Sequence, residues 1–102
     1  MPRRKAPAYS LAEIQEAFRA LGAIEIRYRA ETEAHELGYA IHEVFEIIAK
    51  LQPSHFVKTM HSSDFENEMV DAYVIYDDGY ELYIEFSRWL DGTFKLISFH
   101  LK

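Results

Sequence analysis

The spacing of apolar residues along the chain changes once. Up to Leu51 they recur every three or four positions, which is the period of an amphipathic helix. After Pro53 they alternate with polar residues, as in strands that bury one face. The pattern therefore predicts an α+β fold, with N-terminal helices packed on a C-terminal sheet.

Three helices are predicted in the first half. The first is preceded by Ser10, which forms a capping box with Glu13, and is terminated by Gly22. The second is short and ends at a glycine, whereas a proline prevents extension of the third. A short strand is predicted over residues 24–28, the second helix over residues 30–37 and the third helix over residues 41–51.

Strand-like segments fill the second half, over residues 54–61, 69–76, 80–89 and 93–101. Asp78-Gly79 and Asp91-Gly92 separate the last three, and Asp-Gly supplies the positive φ angles of a tight hairpin turn. We therefore expect a four-stranded, mainly antiparallel sheet whose last three strands form a meander.

The alternation also predicts the two faces of this sheet. The apolar face packs on the helices, and its members in the last two strands are Leu82, Ile84, Phe86, Ile97, Phe99 and Leu101. The open face carries Tyr83, Glu85, Ser98 and His100. The same phase predicts an exposed apolar patch from Trp89, Phe94 and Leu96.

Composition narrows the class of protein. The 102 residues, 49% hydrophobic and without cysteine, predict one globular domain over residues 1–102, with residues 1–8 as a flexible basic arm. No apolar run approaches the ~20 residues of a membrane span, so we expect a cytoplasmic protein with no membrane partner. The net charge of −6 argues against binding nucleic acid through overall charge.

Common nucleotide-binding and catalytic motifs are missing, but the open face suggests one chemistry. Tyr83 and His100 lie on adjacent predicted strands, with Lys58 on an earlier one. RNA cleavage by the ribose 2′-hydroxyl needs a base, an acid and a cation near the phosphate, and these side chains have such properties. An open face that carries ordinary polar residues is the alternative interpretation.

A metal site is a second alternative. His61, Asp64 and His100 are of the residue types that bind zinc or manganese, but their spacing matches no known ligand motif. No metal and no other cofactor is predicted.

Several segments match, in order and spacing, those of a known family. Residues 54–60 are similar to S-D-F-Y-K-S-M, residues 82–84 to the start of V-Y-L-K, and residues 96–100 to I-V-S-F-K. Shorter matches include Glu36-Leu37-Gly38 and Asp71-Ala72-Tyr73, so the likeness spans nearly the whole chain. The sequence thus resembles the MqsR family of type II toxin–antitoxin toxins, which are RelE-like mRNA interferases.

The resemblance implies a RelE-like fold and a metal-independent mRNA endoribonuclease. Its partners would be mRNA, a cognate antitoxin and the ribosome. The family's active-site lysine and tyrosine correspond to Lys58 and Tyr83. His100 lies at the position of the family's C-terminal lysine and Val70 at that of its glutamine. In this interpretation His100 is a general acid or base, Lys58 stabilises the phosphate and Tyr83 orients the ribose.

Substrate contacts are expected from His61, Tyr73, Arg27 and Arg29, with the basic arm Arg3-Arg4-Lys5 adding positive charge. Family toxins are usually basic, whereas residues 52–102 of this chain hold nine acidic and four basic side chains. The alternative is a scaffold that has lost RNA cleavage and serves as a protein-binding module, with its acidic sheet docking a basic partner.

Overall fold

The computed structural model describes residues 6–65 and 67–102, and the predicted arm residues Arg3-Arg4-Lys5 lie outside this part of the chain. The fold is α+β, as predicted, with three helices against a five-stranded sheet. The elements in chain order are α1 (Leu11–Ala20), β1 (Ile24–Ile26), α2 (Tyr28–Glu36), α3 (Ile41–Lys50), β2 (Phe56–His61), β3 (Met69–Asp77), β4 (Tyr80–Arg88) and β5 (Phe94–Leu101). Among the described residues, no helix is long and apolar enough to cross a membrane.

The sheet has one strand more than predicted. Its order is β1-β5-β4-β3-β2, and every neighbouring pair is antiparallel except β1 with β5. The three residues of β1 pair with Phe94, Lys95 and Leu96. Their composition indicated a strand, but a parallel partner near the other end of the chain leaves no mark in the local pattern.

Local signals define α1 in part. The Ser10 side chain caps the helix as predicted, because its hydroxyl accepts a hydrogen bond from the Glu13 backbone N–H at 3.2 Å. The end of the helix differs from the prediction. Leu21, rather than Gly22, adopts the left-handed conformation, with φ of 53°, and its side chain is exposed.

The core lies between the helices and one face of the sheet. Phe18 of α1 contacts Phe86 of β4 edge to face, with ring centroids 5.9 Å apart, and Phe86 contacts Tyr73 of β3 at the same distance. The other buried members include Ile14, Ala30, Ala34, Val44, Ile48, Leu82, Ile84 and Phe99. The apolar face predicted for β4 is therefore confirmed.

A β-bulge at Ile97 changes the faces of β5. Two consecutive pairs between β4 and β5 leave Ile97 without a directly opposite residue, so the alternation shifts by one position. As a result Phe94 and Leu96 are buried in the core, while Ile97 lines a cavity on the other side of the sheet. The exposed patch predicted from Trp89, Phe94 and Leu96 is wrong for this reason.

The two Asp-Gly hairpins differ from each other. Asp78 and Gly79 both have positive φ, 49° and 85°, which confirms the tight turn predicted between β3 and β4. In the second hairpin only Gly92 has positive φ, and its N–H donates to the Trp89 carbonyl. That loop is wider than the predicted two-residue turn.

Helix α2 covers the edge of β5 beyond the short β1. The Glu33 carboxylate accepts a hydrogen bond from the Phe99 backbone N–H at 2.9 Å and another from the Ser98 hydroxyl at 3.3 Å. This satisfies an edge amide that would otherwise offer a site for pairing with another chain. Ser98, predicted to lie on the open face, is buried as a result.

One carboxylate makes stability depend on pH. Asp77 accepts hydrogen bonds from the Tyr39 hydroxyl at 2.7 Å and from Lys50 at 3.3 Å, and the Tyr39 hydroxyl is the main cause of its lowered pKa. A lowered pKa in the folded state stabilises the fold above the unfolded-state pKa of about 3.9, and this stabilisation is lost as the pH falls through the folded-state value.

We expect Asp77→Asn to cost about 1 kcal/mol at pH 7, the usual net contribution of such a hydrogen bond, and much less at pH 3. Urea unfolding of the wild type and the variant at both pH values measures the difference. Equal losses at the two pH values would contradict the assignment.

Candidate functional site

Tyr83 and His100 face each other on the side of the sheet opposite the helices. They are direct cross-strand partners of β4 and β5, and both are half-buried. Their ring centroids are 5.2 Å apart, with 34° between the ring planes. The structure thus brings together two of the three residues predicted to be catalytic.

The hydroxyl of Tyr83 is held by a carboxylate on its own strand. It donates a hydrogen bond to Glu85 Oε2 at 2.9 Å. Burial, followed by the Glu85 carboxylate, raises the pKa of Tyr83 to about 12. The side chain therefore keeps its proton at neutral pH and is suited to orient an oxygen by donating a hydrogen bond.

The ring of His100 is oriented by the backbone. Its Nδ1 lies 2.8 Å from the Leu101 carbonyl oxygen. A carbonyl only accepts hydrogen bonds, so this contact assigns a proton to Nδ1 in both the neutral and the charged ring. Nε2 is then the nitrogen that gains or loses a proton, as a general acid or base requires.

Lys58 lies on the same face of the sheet as Tyr83, but two strands away from it. It is exposed on β2 and pairs with Ala72 of β3, which in turn pairs with Glu85 of β4. Two strand spacings therefore separate the backbones of Lys58 and Glu85, about 10 Å. Ala72 is completely buried, so the neighbouring side chains of this face close over it.

A cavity of about 280 Å³ opens beside Glu85. Its volume is close to the lower end of the range for small-molecule sites, about 300–1,000 Å³. Three predicted substrate-binding residues line it, namely Arg27, Arg29 and His61. The structure therefore collects them at one place, next to the Tyr83–His100 pair.

Carboxylates balance most of the positive charge around this cavity. Arg27 pairs with Glu25 at 2.7 Å, and its guanidinium also lies 5.8 Å from the centre of the Trp89 ring. Arg29 pairs with Glu33 at 3.3 Å. The two arginines are partly exposed and oriented by these contacts, so any gain from binding an anion is reduced by competition with the carboxylates.

Lys95 is the residue at this cavity that the sequence did not reveal. Its side chain is 2% exposed, and its ammonium donates to both oxygens of Glu68, at 2.9 and 2.7 Å. The same ammonium lies 3.5 Å from the centre of the Trp89 ring and 4.6 Å from that of Phe65. These contacts tie the loop between β2 and β3 to the middle of the sheet.

Tyr73 is not in the site. It is completely buried on the helix side of β3, where it packs against Phe56 and Phe86, and burial raises its pKa to about 12. Its hydroxyl has no hydrogen-bond partner among the described residues. The prediction that Tyr73 contacts substrate is therefore wrong, because its position in β3 points it into the core.

No metal-binding geometry accompanies this site in the described part of the chain. No three histidine, aspartate or glutamate side chains there are placed to hold one ion. The alternative of a site from His61, Asp64 and His100 therefore has no support from their positions.

Comparison with protein families gives one match. The family described as "Motility quorum-sensing regulator, toxin of MqsA" matches over residues 6–101. No curated individual protein matches significantly. The match covers the three helices and all five strands, including both residues of the Tyr83–His100 pair. The chain therefore belongs to the MqsR toxin family and is the toxin of a toxin–antitoxin system, with an antitoxin as its partner.

Proposed function

We propose that this toxin is an mRNA endoribonuclease that cleaves without a metal ion, by attack of a ribose 2′-hydroxyl on the adjacent phosphorus. The observation that carries the proposal is the Tyr83–His100 pair on the open face, with ring centroids 5.2 Å apart. A cavity that Arg27, Arg29 and His61 line lies next to it and supplies room for a nucleotide.

The reaction forms a bond from O2′ to phosphorus and breaks the bond from phosphorus to O5′. Its products are a 2′,3′-cyclic phosphate and a 5′-hydroxyl end. His100 moves a proton at Nε2, and the Tyr83 hydroxyl, which stays protonated, donates a hydrogen bond to a ribose or phosphate oxygen. Lys58 approaches the phosphate from β2 and stabilises the charge that develops there.

Capture of the RNA depends on local charge, because the chain as a whole carries −6. Arg27 and Arg29 are the cations at the cavity mouth, each shared with a carboxylate. Salt therefore weakens substrate binding. Because the net charge of −6 repels RNA, mRNA held beside a positively charged surface of the ribosome is a better substrate than the same mRNA free in solution.

Cleavage of a mixed mRNA by the purified chain, in the presence of a chelator, tests this function. We expect fragments that end in 2′,3′-cyclic phosphate and 5′-hydroxyl groups. Lys58→Ala should lower the rate by about 10²–10³-fold, the usual effect of removing one group that stabilises transition-state charge. The matched control is Lys50→Ala, which removes a lysine of α3 that pairs with Asp77, at 3.3 Å, and does not line the cavity.

A second candidate function is a protein-binding module without nuclease activity. The charge of the sheet half favours it, since residues 52–102 hold nine acidic and four basic side chains. If neither free nor ribosome-bound mRNA is cleaved at any pH from about 5.5 to 8, which spans the usual titration range of histidine, the nuclease proposal is wrong and this candidate is favoured.

A further inference from the structure

Glu85 occupies the junction between the Tyr83–His100 pair and the cavity. Its side chain lines the cavity and also accepts the hydrogen bond from Tyr83. Tyr83–His100 and Glu85–Ser98 are pairs of the same two strands, separated by the Ile84–Phe99 pair, so they follow each other on one face of the sheet. Glu85 and His100 are therefore diagonal neighbours, with their backbones about 7–8 Å apart.

The two oxygens of Glu85 have different surroundings. Oε2 accepts from Tyr83 at 2.9 Å, which fixes the orientation of the carboxylate. Oε1 accepts no hydrogen bond from residues 6–65 or 67–102 and is left for a group that enters from the cavity. A carboxylate held at one oxygen and open at the other is suited to accept a proton from a hydroxyl.

Few other groups beside the Tyr83–His100 pair can take this role. Tyr83 keeps its proton, and its pKa is raised to about 12 by burial. The ammonium of Lys58 has only donors, so at neutral pH it offers charge but accepts no proton. The Glu81 carboxylate on β4 is another proton acceptor, but it pairs with Lys102 at 3.9 Å and does not line the cavity. Glu85 and His100 are therefore the best-placed groups with proton-accepting atoms on these adjacent strands.

We infer that Glu85 is the general base of the RNA cleavage proposed above and that His100 is the corresponding general acid. Glu85 accepts the proton of the 2′-hydroxyl while O2′ bonds to phosphorus, and His100 gives the proton on Nε2 to O5′ while its bond to phosphorus breaks. Solvent then removes the proton from Glu85 and returns one to His100. This inference rests on the proposed function, and the Lys58 ammonium offsets the negative charge that Glu85 brings to the phosphate.

Two substrates distinguish the role of a general base from that of a general acid. One is an RNA dinucleotide, whose 5′-oxygen leaves only when protonated, and the other is a nucleoside 3′-(4-nitrophenyl phosphate), whose leaving group departs without a proton. Glu85→Gln should slow cleavage of both substrates by about 10²–10⁴-fold, because both need the 2′-hydroxyl to lose its proton. His100→Ala should slow cleavage of the dinucleotide and leave the nitrophenyl ester almost unaffected.

The variants are chosen so that a structural role gives a different result. Glutamine keeps the shape of Glu85 and an oxygen for the Tyr83 hydroxyl, so a carboxylate that only orients Tyr83 would tolerate the change. The matched control is Glu81→Gln, an exchange on the same strand at a partly exposed residue that pairs only weakly with Lys102, at 3.9 Å. A second variant, Glu85→Ala, should regain activity when formate is added, because formate replaces the missing carboxylate.

The outcomes distinguish this inference from the proposed function. If the wild type and Glu85→Gln cleave both substrates at equal rates, Glu85 is not the base, although the nuclease proposal stands. A loss confined to the dinucleotide assigns Glu85 to the leaving group and also overturns the inference. If the wild type cleaves neither these substrates nor mRNA, both proposals are wrong.

Discussion

Replacement of His100 by alanine is expected to lower the rate of RNA cleavage by about 10²–10⁴-fold, the usual contribution of a general acid. The physical reason is the orientation of the ring, since the Leu101 carbonyl holds Nδ1 at 2.8 Å and leaves Nε2 to exchange the proton. Initial rates on a defined RNA measure the loss, and a separate titration of RNA binding should show nearly unchanged affinity.

The control for this prediction is His42→Ala, which removes an exposed histidine from α3 on the other side of the molecule. Its cleavage rate should equal that of the wild type. Cleavage that survives His100→Ala at full rate would remove His100 from the mechanism. A parallel loss of RNA affinity would assign this residue to binding instead.

The buried ion pair of Lys95 and Glu68 should give the largest effect on stability. We expect Glu68→Ala to lower the free energy of unfolding by about 3–5 kcal/mol, because it leaves the ammonium of Lys95 buried without a counter-charge. That ammonium is enclosed by the rings of Trp89 and Phe65, so water replaces the lost carboxylate poorly. Urea unfolding at neutral pH measures the change.

The double variant Glu68→Leu, Lys95→Met is expected to recover most of this loss, since both charges are removed and their volumes are filled. Glu16→Ala is the matched control, because it breaks an ion pair with Arg19 whose side chains are 62% and 72% exposed. It should change stability little. A loss in Glu68→Ala no larger than in this control would show that Lys95 finds water when its partner is absent.

The elements that the sequence predicted are those whose signals lie within a few neighbouring residues. The Ser10 cap, the proline stop after α3 and the Asp78-Gly79 turn each depend on local backbone chemistry. β4 was also predicted with its correct apolar face, because its alternation holds from Glu81 to Phe86. These features need no knowledge of what the element packs against.

Features that depend on a distant partner were missed. The bulge at Ile97 arises from the register between two strands, so a prediction from alternation alone pointed Phe94 and Leu96 to solvent. Tyr73 was interpreted as a substrate contact although its strand neighbours Asp71 and Ile75 are buried with it. Pairing with both flanking strands decides the face on which such residues lie.

The candidate site likewise has one feature that the sequence predicted and one that it did not. The parity of two consecutive strands correctly placed Tyr83 beside His100, and their role in catalysis stays a prediction. Burial of Lys95 required knowledge of Glu68, Phe65 and Trp89, which reach it from two different loops. A lysine within an alternating strand usually lies at a solvent-exposed position. Lys95 is buried because aromatic rings lie against its ammonium.

The order of the strands has a consequence for how the toxin folds. β5 is far from β1 along the chain, yet it lies between β1 and β4, supports α2 and carries His100. A nascent chain that still lacks β5 therefore has neither a closed core nor an assembled Tyr83–His100 pair. Truncation before β5 should therefore abolish stable folding and not only the Tyr83–His100 pair.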